Sequence, residues 1–288
     1  MGAAETPTPE EDKVWLITGC SSGMGREFAR AALTAGYRVV TTARNPSTLD
    51  EFIAEFPEQA RAIELDVTQH EQVSAAFETT LEEFGRLDVL VNNAGYSYLS
   101  SIEEGDEAEV RALFETNFFG LLAMTRAVIP HMRERRSGQI IFNSSQAGLM
   151  SRPGTGYYST TKYAVEALSE ALVFELAPFN IKVTALEPGP FRTDWAGRSM
   201  RSSTSTIDDY TDTVHARIAF ARNMGGAEAG DPKRAARTVV DLVRSEAPPP
   251  KLLLGQLVLD HYREKLQSIQ SMLEEWESVT LSADFPAE

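Results

Sequence analysis

Residues 14–25 read Val14-Trp15-Leu16-Ile17-Thr18-Gly19-Cys20-Ser21-Ser22-Gly23-Met24-Gly25. Four apolar residues in a row run into a glycine-rich turn, and a helical pattern opens at about Gly23. A short strand that is apolar at every position has both faces covered, which is the habit of parallel sheets. Glycines where a strand turns into a helix let the chain bend sharply and let a ligand approach the backbone. The helix that follows offers free N–H groups and its positive dipole end to an anion such as a pyrophosphate. By itself such a cluster says little, because turns use glycine anyway. At the first strand of an alternating α/β chain it says more.

Working outward, the alternation is there. The strand-like runs VWLIT (14–18), YRVVTTA (37–43), AIELD (62–66), LDVLVNN (87–93), GQIIFNSS (138–145), IKVTALEPG (181–189) and KLLLG (251–255) are separated by helical patterns. Those patterns cover 49–56, 71–84, 107–133, 157–176 and 233–243. The reading is α/β: a doubly wound parallel sheet of about seven strands, the Rossmann arrangement, in a single domain over 13–255. A length of 288 residues suits one such domain.

Three stretches fall outside the rhythm. Residues 1–12 are small, proline-bearing and acidic, and read as a disordered tail. Residues 194–230 are polar and rich in serine and threonine; they read as a late lid insertion over a ligand at the carboxyl ends of the strands, against the plainer reading of a surface excursion. Within or beside it, Phe191, Trp195, Met200 and Tyr210 either line an apolar substrate pocket or pack the insertion onto the domain. Residues 256–288 form a C-terminal amphipathic helix and tail. Leu259, Tyr262, Leu266, Ile269, Leu273 and Trp276 share one helical face. Such a face is expected to pack on its own domain; a subunit contact or a wall of the substrate pocket is the alternative.

Composition narrows the function. Forty-two acids against 27 bases leave a net charge of −15, a field that repels nucleic acid and anionic membranes. The single cysteine, Cys20, allows no internal disulfide and no multi-cysteine zinc site, and it carries no redox role in this reading. The four histidines lack metal-ligand spacing, so no metal is expected. No basic segment precedes an apolar core, so no signal peptide is expected. The most apolar helical stretch, 118–129, is broken by Arg126 and reads as too short to cross a bilayer. A cytoplasmic enzyme fits, and so does a cytoplasmic binding protein.

The candidate chemistry lies on the helix over 157–176. Tyr158 and Lys162 are four residues apart and so share a face. An ammonium beside a phenol favours the phenolate and would bring a group with a normal pKa near 10 into range for proton transfer. Tyr157, five residues from Lys162, lies off that face. Upstream, Ser144 and Ser145 end the 138–145 strand. In this fold a strand's carboxyl end faces the ligand crevice, where a hydroxyl could stabilise a developing oxyanion. Neighbours on a strand face opposite ways, so chain physics leaves the choice between the two open.

The spacing T-G-x-x-x-G-x-G at 18–25, with Asn92-Asn93-Ala94-Gly95, the 158–162 pair and Pro188-Gly189 with Thr193, resembles the short-chain dehydrogenase/reductase family. The late region is similar to reductases grouped with steroid and retinol dehydrogenases. The resemblance implies the following roles. Gly19, Ser21, Ser22, Gly23, Met24 and Gly25 would hold the pyrophosphate, and Asp66 with Val67 the adenine. Asn93, Ala94 and Gly95 would line the adenosine side and, with Asn92, steady the sheet. Pro188, Gly189 and Thr193 would hold the nicotinamide carboxamide, with Tyr158 and Lys162 at the nicotinamide ribose. Ser145 rather than Ser144 would be the catalytic serine, at thirteen residues before Tyr158. Asn117 would hold a water linking Lys162 to solvent, although a local helix distortion also explains a polar residue in that apolar stretch. The family is commonly dimeric or tetrameric.

Cofactor choice is read at the end of the second strand. The acid that would bind both ribose hydroxyls is missing, and Arg44 follows at once. A guanidinium suits a 2′-phosphate, so NADP(H) is expected before NAD(H). The expected reaction moves a hydride between NADP(H) and a carbonyl or secondary alcohol of an apolar small molecule, with reduction preferred. A non-catalytic NADP(H) sensor, or an isomerase or lyase on the same fold, is the alternative.

Overall fold

The computed structural model describes residues 13–193, 199–223, 226 and 228–285. Its centre is a seven-stranded sheet in the order β3-β2-β1-β4-β6-β7-β9, every neighbouring pair parallel. The strands are β1 (Val14–Ile17), β2 (Arg38–Ala43), β3 (Ala60–Glu64), β4 (Val89–Asn92), β6 (Gly138–Asn143), β7 (Ile181–Pro188) and β9 (Lys251–Leu254). Successive β1 residues face opposite layers, as a pleated strand requires. Trp15 and Ile17 pack with Phe28 and Val239 of α1 (Gly23–Thr34) and α8 (Pro232–Arg244). Leu16 packs the other way, with Val73, Met124 and Val165 of α3 (His70–Phe84), α5 (Leu121–Arg135) and α6 (Gly156–Leu176). Every residue of β1 is buried, which is why the run carries no polar alternation.

The chain winds outward from β1 to β3, then returns to the centre and continues from β4 the other way. The reversal opens a crevice at the carboxyl ends of β1 and β4, the usual ligand position in such sheets. Between β4 and β6 lie α4 (Glu107–Phe114), a π-helical turn over Glu115–Gly120, and α5. Together they form a continuous run of 29 residues, long and apolar enough by composition to cross a membrane. The expectation of a stretch too short for that is corrected, because the helix extends well beyond 118–129. Leu113, Met124, Val128 and Met132 bury it against the domain.

Two short strands had no counterpart in the sequence reading. β5 (Ser97–Leu99) pairs in parallel with β8 (Met200–Ser202), tying the late insertion to the loop after β4. The described part of the insertion is largely regular: after β8 come a π-helical turn over Thr211–His215 and α7 (Ala216–Asn223). Met200 and Tyr210 pack with Leu99, Val214 and Ile218 in a satellite core. Trp195 lies outside the described residues, as does the tail over 1–12.

The C-terminal helix α9 (Gln256–Leu281) corrects one expectation. Val258 is fully buried and Tyr262 packs partly beside it, but Leu266, Leu273 and Trp276 are about half exposed, at 48%, 53% and 54%. The apolar face therefore packs on its own domain only through the first turns. The periodicity that makes a face carries no information about what covers it.

Candidate active site

The turn after β1 is held by side chains from two other strands. Thr18 Oγ1 accepts hydrogen bonds from the N–H groups of Asn93 and Ala94, both at 2.9 Å. The Asn93 amide donates to the carbonyls of Thr18 (2.8 Å) and Gly19 (3.0 Å), and its oxygen accepts from Asn143 Nδ2 (2.9 Å). Asn93, expected to line a bound nucleotide, is thus a strut that fixes the turn. Gly25 has to be glycine: a Cβ there would stand 2.2 Å from Asn93 Nδ2 and 2.4 Å from Gly19 O. Gly19 and Gly23 have φ of +73° and +60°, the left-handed region that glycine adopts freely. The first turn of α1 carries no acid, and Ser22 at its N-cap makes no side-chain capping bond. Its N–H groups are left for an outside anion. Cys20 is buried and its thiol is pushed up to about 12 by desolvation, which makes it unreactive.

Flanking the turn, Asp66 sits two residues past the end of β3 and accepts from Thr68 N–H (3.0 Å) and Oγ1 (2.8 Å) through one oxygen. Val67 is buried in the core beneath, so only its main chain could reach a ligand. Gly95 lies against Asn117, whose Oδ1 would be 3.0 Å from a Cβ at that position. Arg44 is exposed at the end of β2.

At the other end of the crevice is a cavity of about 510 Å³. Met24, Ser145, Tyr158, Pro188, Gly189 and Thr193 all line it, although they come from four separate segments of the chain. The two serines differ in their surroundings. Ser145 Oγ accepts from the Ala147 N–H at 3.1 Å, and its hydroxyl stands near enough to Tyr158 to lower the phenol's pKa. Ser144 also lines the cavity, but its Oγ lies on the side of Gly148, where a Cβ would meet it at 2.8 Å. Tyr157 is occupied elsewhere, its hydroxyl donating to Ile102 O at 2.6 Å.

Lys162 is almost wholly buried. Its ammonium donates to the Asn143 carbonyl at 2.9 Å and lies 5.8 Å from the centre of the Tyr158 ring. Desolvation lowers its pKa to about 8, with Glu166, one turn along α6, opposing. Burial pushes the Tyr158 pKa up, and the Ser145 hydroxyl pulls it only partly back.

Asn117 lies in the π-helical turn, the local helix distortion that the sequence left open. A wide turn of this kind is often found at functional positions. The Asn117 amide pairs with both main-chain groups of Tyr96, at 3.0 and 2.8 Å, and donates to Thr161 Oγ1 at 3.2 Å. It joins the β4 loop to the residue preceding Lys162 and acts here as a positioning residue.

Several functional positions escaped sequence reasoning. Asn143 serves both ends of the site, through its amide to Asn93 and its carbonyl to Lys162. A polar residue closing an apolar strand was its only signal. Arg152, from the loop before α6, and Arg217, from α7, line the cavity, as do Leu257 and His261 from the first turns of α9. Of the aromatics proposed for the substrate, Phe191 lines the cavity.

A family model described as short chain dehydrogenase matches residues 13–203. The chain is 37% identical to an oxidoreductase, BOA17, of Botryotinia fuckeliana, over 94% of this chain and 99% of that protein. It is also 37% identical to a 3-ketodihydrosphingosine reductase of Bacteroides thetaiotaomicron, over 86% and 90%. Among solved structures, a short-chain dehydrogenase from Streptomyces avermitilis superposes with a TM-score of 0.88 at 42% identity, covering 95% of this chain and 98% of that one. More distantly, a 3-ketoacyl-(acyl-carrier-protein) reductase from Brucella melitensis complexed with NADH aligns at 28% identity and a TM-score of 0.70, over 85% of this chain and 97% of that one.

Proposed function

The chain is an oxidoreductase of the short-chain dehydrogenase family, and from that premise we propose that it moves a hydride between NADP(H) and a carbonyl or secondary alcohol, reduction being the working direction. The observation that carries the reading is the meeting of Ser145 and Tyr158 with Pro188, Gly189 and Thr193 around one cavity, with Lys162 buried beside the Tyr158 ring. The turn after β1 suits a dinucleotide, since its N–H groups are uncapped and Gly23 faces open space. The dinucleotide, when bound, supplies or accepts the hydride.

Reduction requires a proton as well as a hydride. The carbonyl carbon receives the hydride with its electron pair, and the oxygen takes the proton of Tyr158. Ser145 donates a hydrogen bond to that oxygen as its charge develops. Burial keeps the Tyr158 phenol protonated at neutral pH, the form an acid catalyst needs. Lys162 stays largely protonated up to about pH 8 and can return a proton to the phenolate, with solvent as the final source. Asn117 fixes the backbone on which both groups stand.

The preference for NADP(H) rests on Arg44, an exposed guanidinium at the end of β2 where an acid would repel a 2′-phosphate. The cytosol is the compartment we assign, with Cys20 a lone reduced thiol. Exposed Phe119, Tyr163 and Phe174 on the central helical layer are suited to a homo-oligomer. The relative from B. thetaiotaomicron makes long-chain ketones sensible first substrates. NADPH and NADH consumption over a panel of aldehydes and ketones tests the assignment. Turnover is expected with NADPH; Tyr158→Phe should abolish it while leaving NADP⁺ binding within about twofold. Arg44→Asp should shift the preference toward NADH. Undiminished turnover in the phenylalanine variant would remove Tyr158 from the mechanism.

A further inference from the structure

The cavity beside Tyr158 is mainly apolar, with Leu99, Phe191, Ile218 and Leu257 in its wall, yet two arginines face it. Arg152 comes from the loop before α6, and Arg217 from α7 in the late insertion, 65 positions apart in the sequence but within charge–charge reach of one another. Among the described residues, neither guanidinium forms an ion pair. Arg217 Nε is a buried donor with no partner, while the planar face of the group stacks over Phe220 at 5.2 Å. Only one acid lines the cavity among the described residues, and it is already engaged: Glu228 Oε2 accepts from the Gly226 N–H at 2.8 Å.

The chain has 42 acids to 27 bases, and several arginines are paired with carboxylates: Arg26 and Arg30 reach Glu51, Arg61 reaches Glu83, and Arg201 reaches Glu109. Two like charges beside one mainly apolar cavity repel each other, and the half-buried Arg217 also loses solvation while Arg152 stays exposed. Arg217 responds accordingly, its pKa lowered first by burial and then by Arg152. An oxyanion between the two would satisfy the orphaned donor and cancel the repulsion. A planar fork matches carboxylate and phosphate geometry.

We propose that Arg152 and Arg217 form an anion subsite of the substrate pocket, and that the substrate is an apolar carbonyl compound bearing a carboxylate or phosphate. The subsite rests on the reading of Tyr158 as the reacting group, and it narrows the substrate class of that same cavity. The carbonyl meets Ser145 and Tyr158, the apolar chain follows the wall, and the anion seats between the two guanidiniums. In a protein of net charge −15, such a local positive spot also draws an anion inward past an otherwise repelling field.

The test uses the full-length protein and a homologous series of straight-chain oxo-acids, from 4-oxopentanoate to 10-oxoundecanoate, each beside its methyl ester, with NADPH. At the chain length that spans the cavity, the acid is expected to exceed its ester in kcat/KM by tenfold or more. In the Arg152→Gln/Arg217→Gln double variant that ratio should fall toward one. A parallel calorimetric titration in the presence of NADP⁺ compares decanoate and decyl phosphate with 1-decanol, and needs no turnover. Either anion should bind at least tenfold tighter than the alcohol, and the double variant should lose the difference; whichever anion gains more names the headgroup. Esters reduced as well as acids at every length, alcohol bound as tightly as both anions, or a double variant whose main defect is weaker NADP⁺ binding would each overturn the subsite. No turnover of any acid or ester with either dinucleotide would instead overturn the reductase reading, and the titration would still decide the subsite.

Discussion

Asn93 separates two roles that the sequence could not tell apart: a lining residue for the nucleotide and a strut for the turn that receives it. In the structure its side chain makes three hydrogen bonds, donating to Thr18 O and Gly19 O and accepting from Asn143 Nδ2, at 2.8, 3.0 and 2.9 Å. At about 1 kcal/mol of net stability each, Asn93→Ala should destabilise the free protein by about 3 kcal/mol. For a domain of this size that is a fall in Tm of roughly 6–12 °C. Asn93→Asp has the same shape but sets a carboxylate oxygen against two carbonyl oxygens, so it should be worse than alanine. Urea unfolding followed by circular dichroism, without cofactor, gives the stabilities; quenching of tryptophan fluorescence gives NADP⁺ affinity. The expected order of stability is Asn, then Ala, then Asp, with affinity falling in parallel. An alanine variant that unfolds like the parent protein yet binds NADP⁺ tenfold more weakly would refute the strut and restore the lining role.

The glycines of the same turn should divide by mechanism. Gly25→Ala forces a Cβ to within 2.2 Å of Asn93 Nδ2 and should lower stability by about 1–3 kcal/mol through overpacking, with NADP⁺ binding lost. Gly23→Ala meets no neighbouring atom, so only the left-handed backbone is strained, by about 1–2 kcal/mol, and the affinity loss should exceed the stability loss. Reduction should be flat in kcat/KM at neutral pH and decline above about pH 8, because protonated Lys162 and protonated Tyr158 are both required and Lys162 is lost first as pH rises; the oxidation of the corresponding alcohol should rise over the same interval. Ending the chain after Lys265 removes only the exposed length of α9, so the urea midpoint should move by an amount equivalent to about 0.5 kcal/mol or less. A larger loss that also depends on protein concentration would place that helix in a subunit contact.

The fold was legible because the information for it is local. Most strands of the large sheet are apolar runs bounded by turn residues, the edge strand β3 being the exception, and β1 announces its two buried faces by having no polar position at all. The short β5 and β8 strands were not legible, since three residues carry no periodicity and their pairing depends on a partner about a hundred positions away. The same distinction divides the site. Tyr158, Lys162 and the 18–25 turn are short-range patterns. Ser145 was separable from Ser144 only by resemblance, because strand alternation says that the two differ and leaves open which one faces the crevice. Arg217 becomes a neighbour of the site, and Asn143 meets Asn93 and Lys162, only after the chain has wound around the sheet.

Tyr158 shows where spacing and chemistry part. Four residues on a helix guarantee a shared face, but burial also sets the acidity of the phenol, and it pushes the Tyr158 pKa up. The cavity that shields the reacting carbon from water therefore also holds the phenol in its acid form, by the same desolvation. For an enzyme that oxidised alcohols this would be a handicap, since the base would have to be generated against burial before each turnover. For one that reduces carbonyls it is the resting state required, and the heavier demand falls on returning a proton afterwards. Lys162, with a pKa of about 8, is suited to that step: it holds a proton at neutral pH and releases it more readily than an exposed lysine would. The proposed reduction thus draws on which of the two groups burial leaves charged, a tertiary property that the motif does not contain.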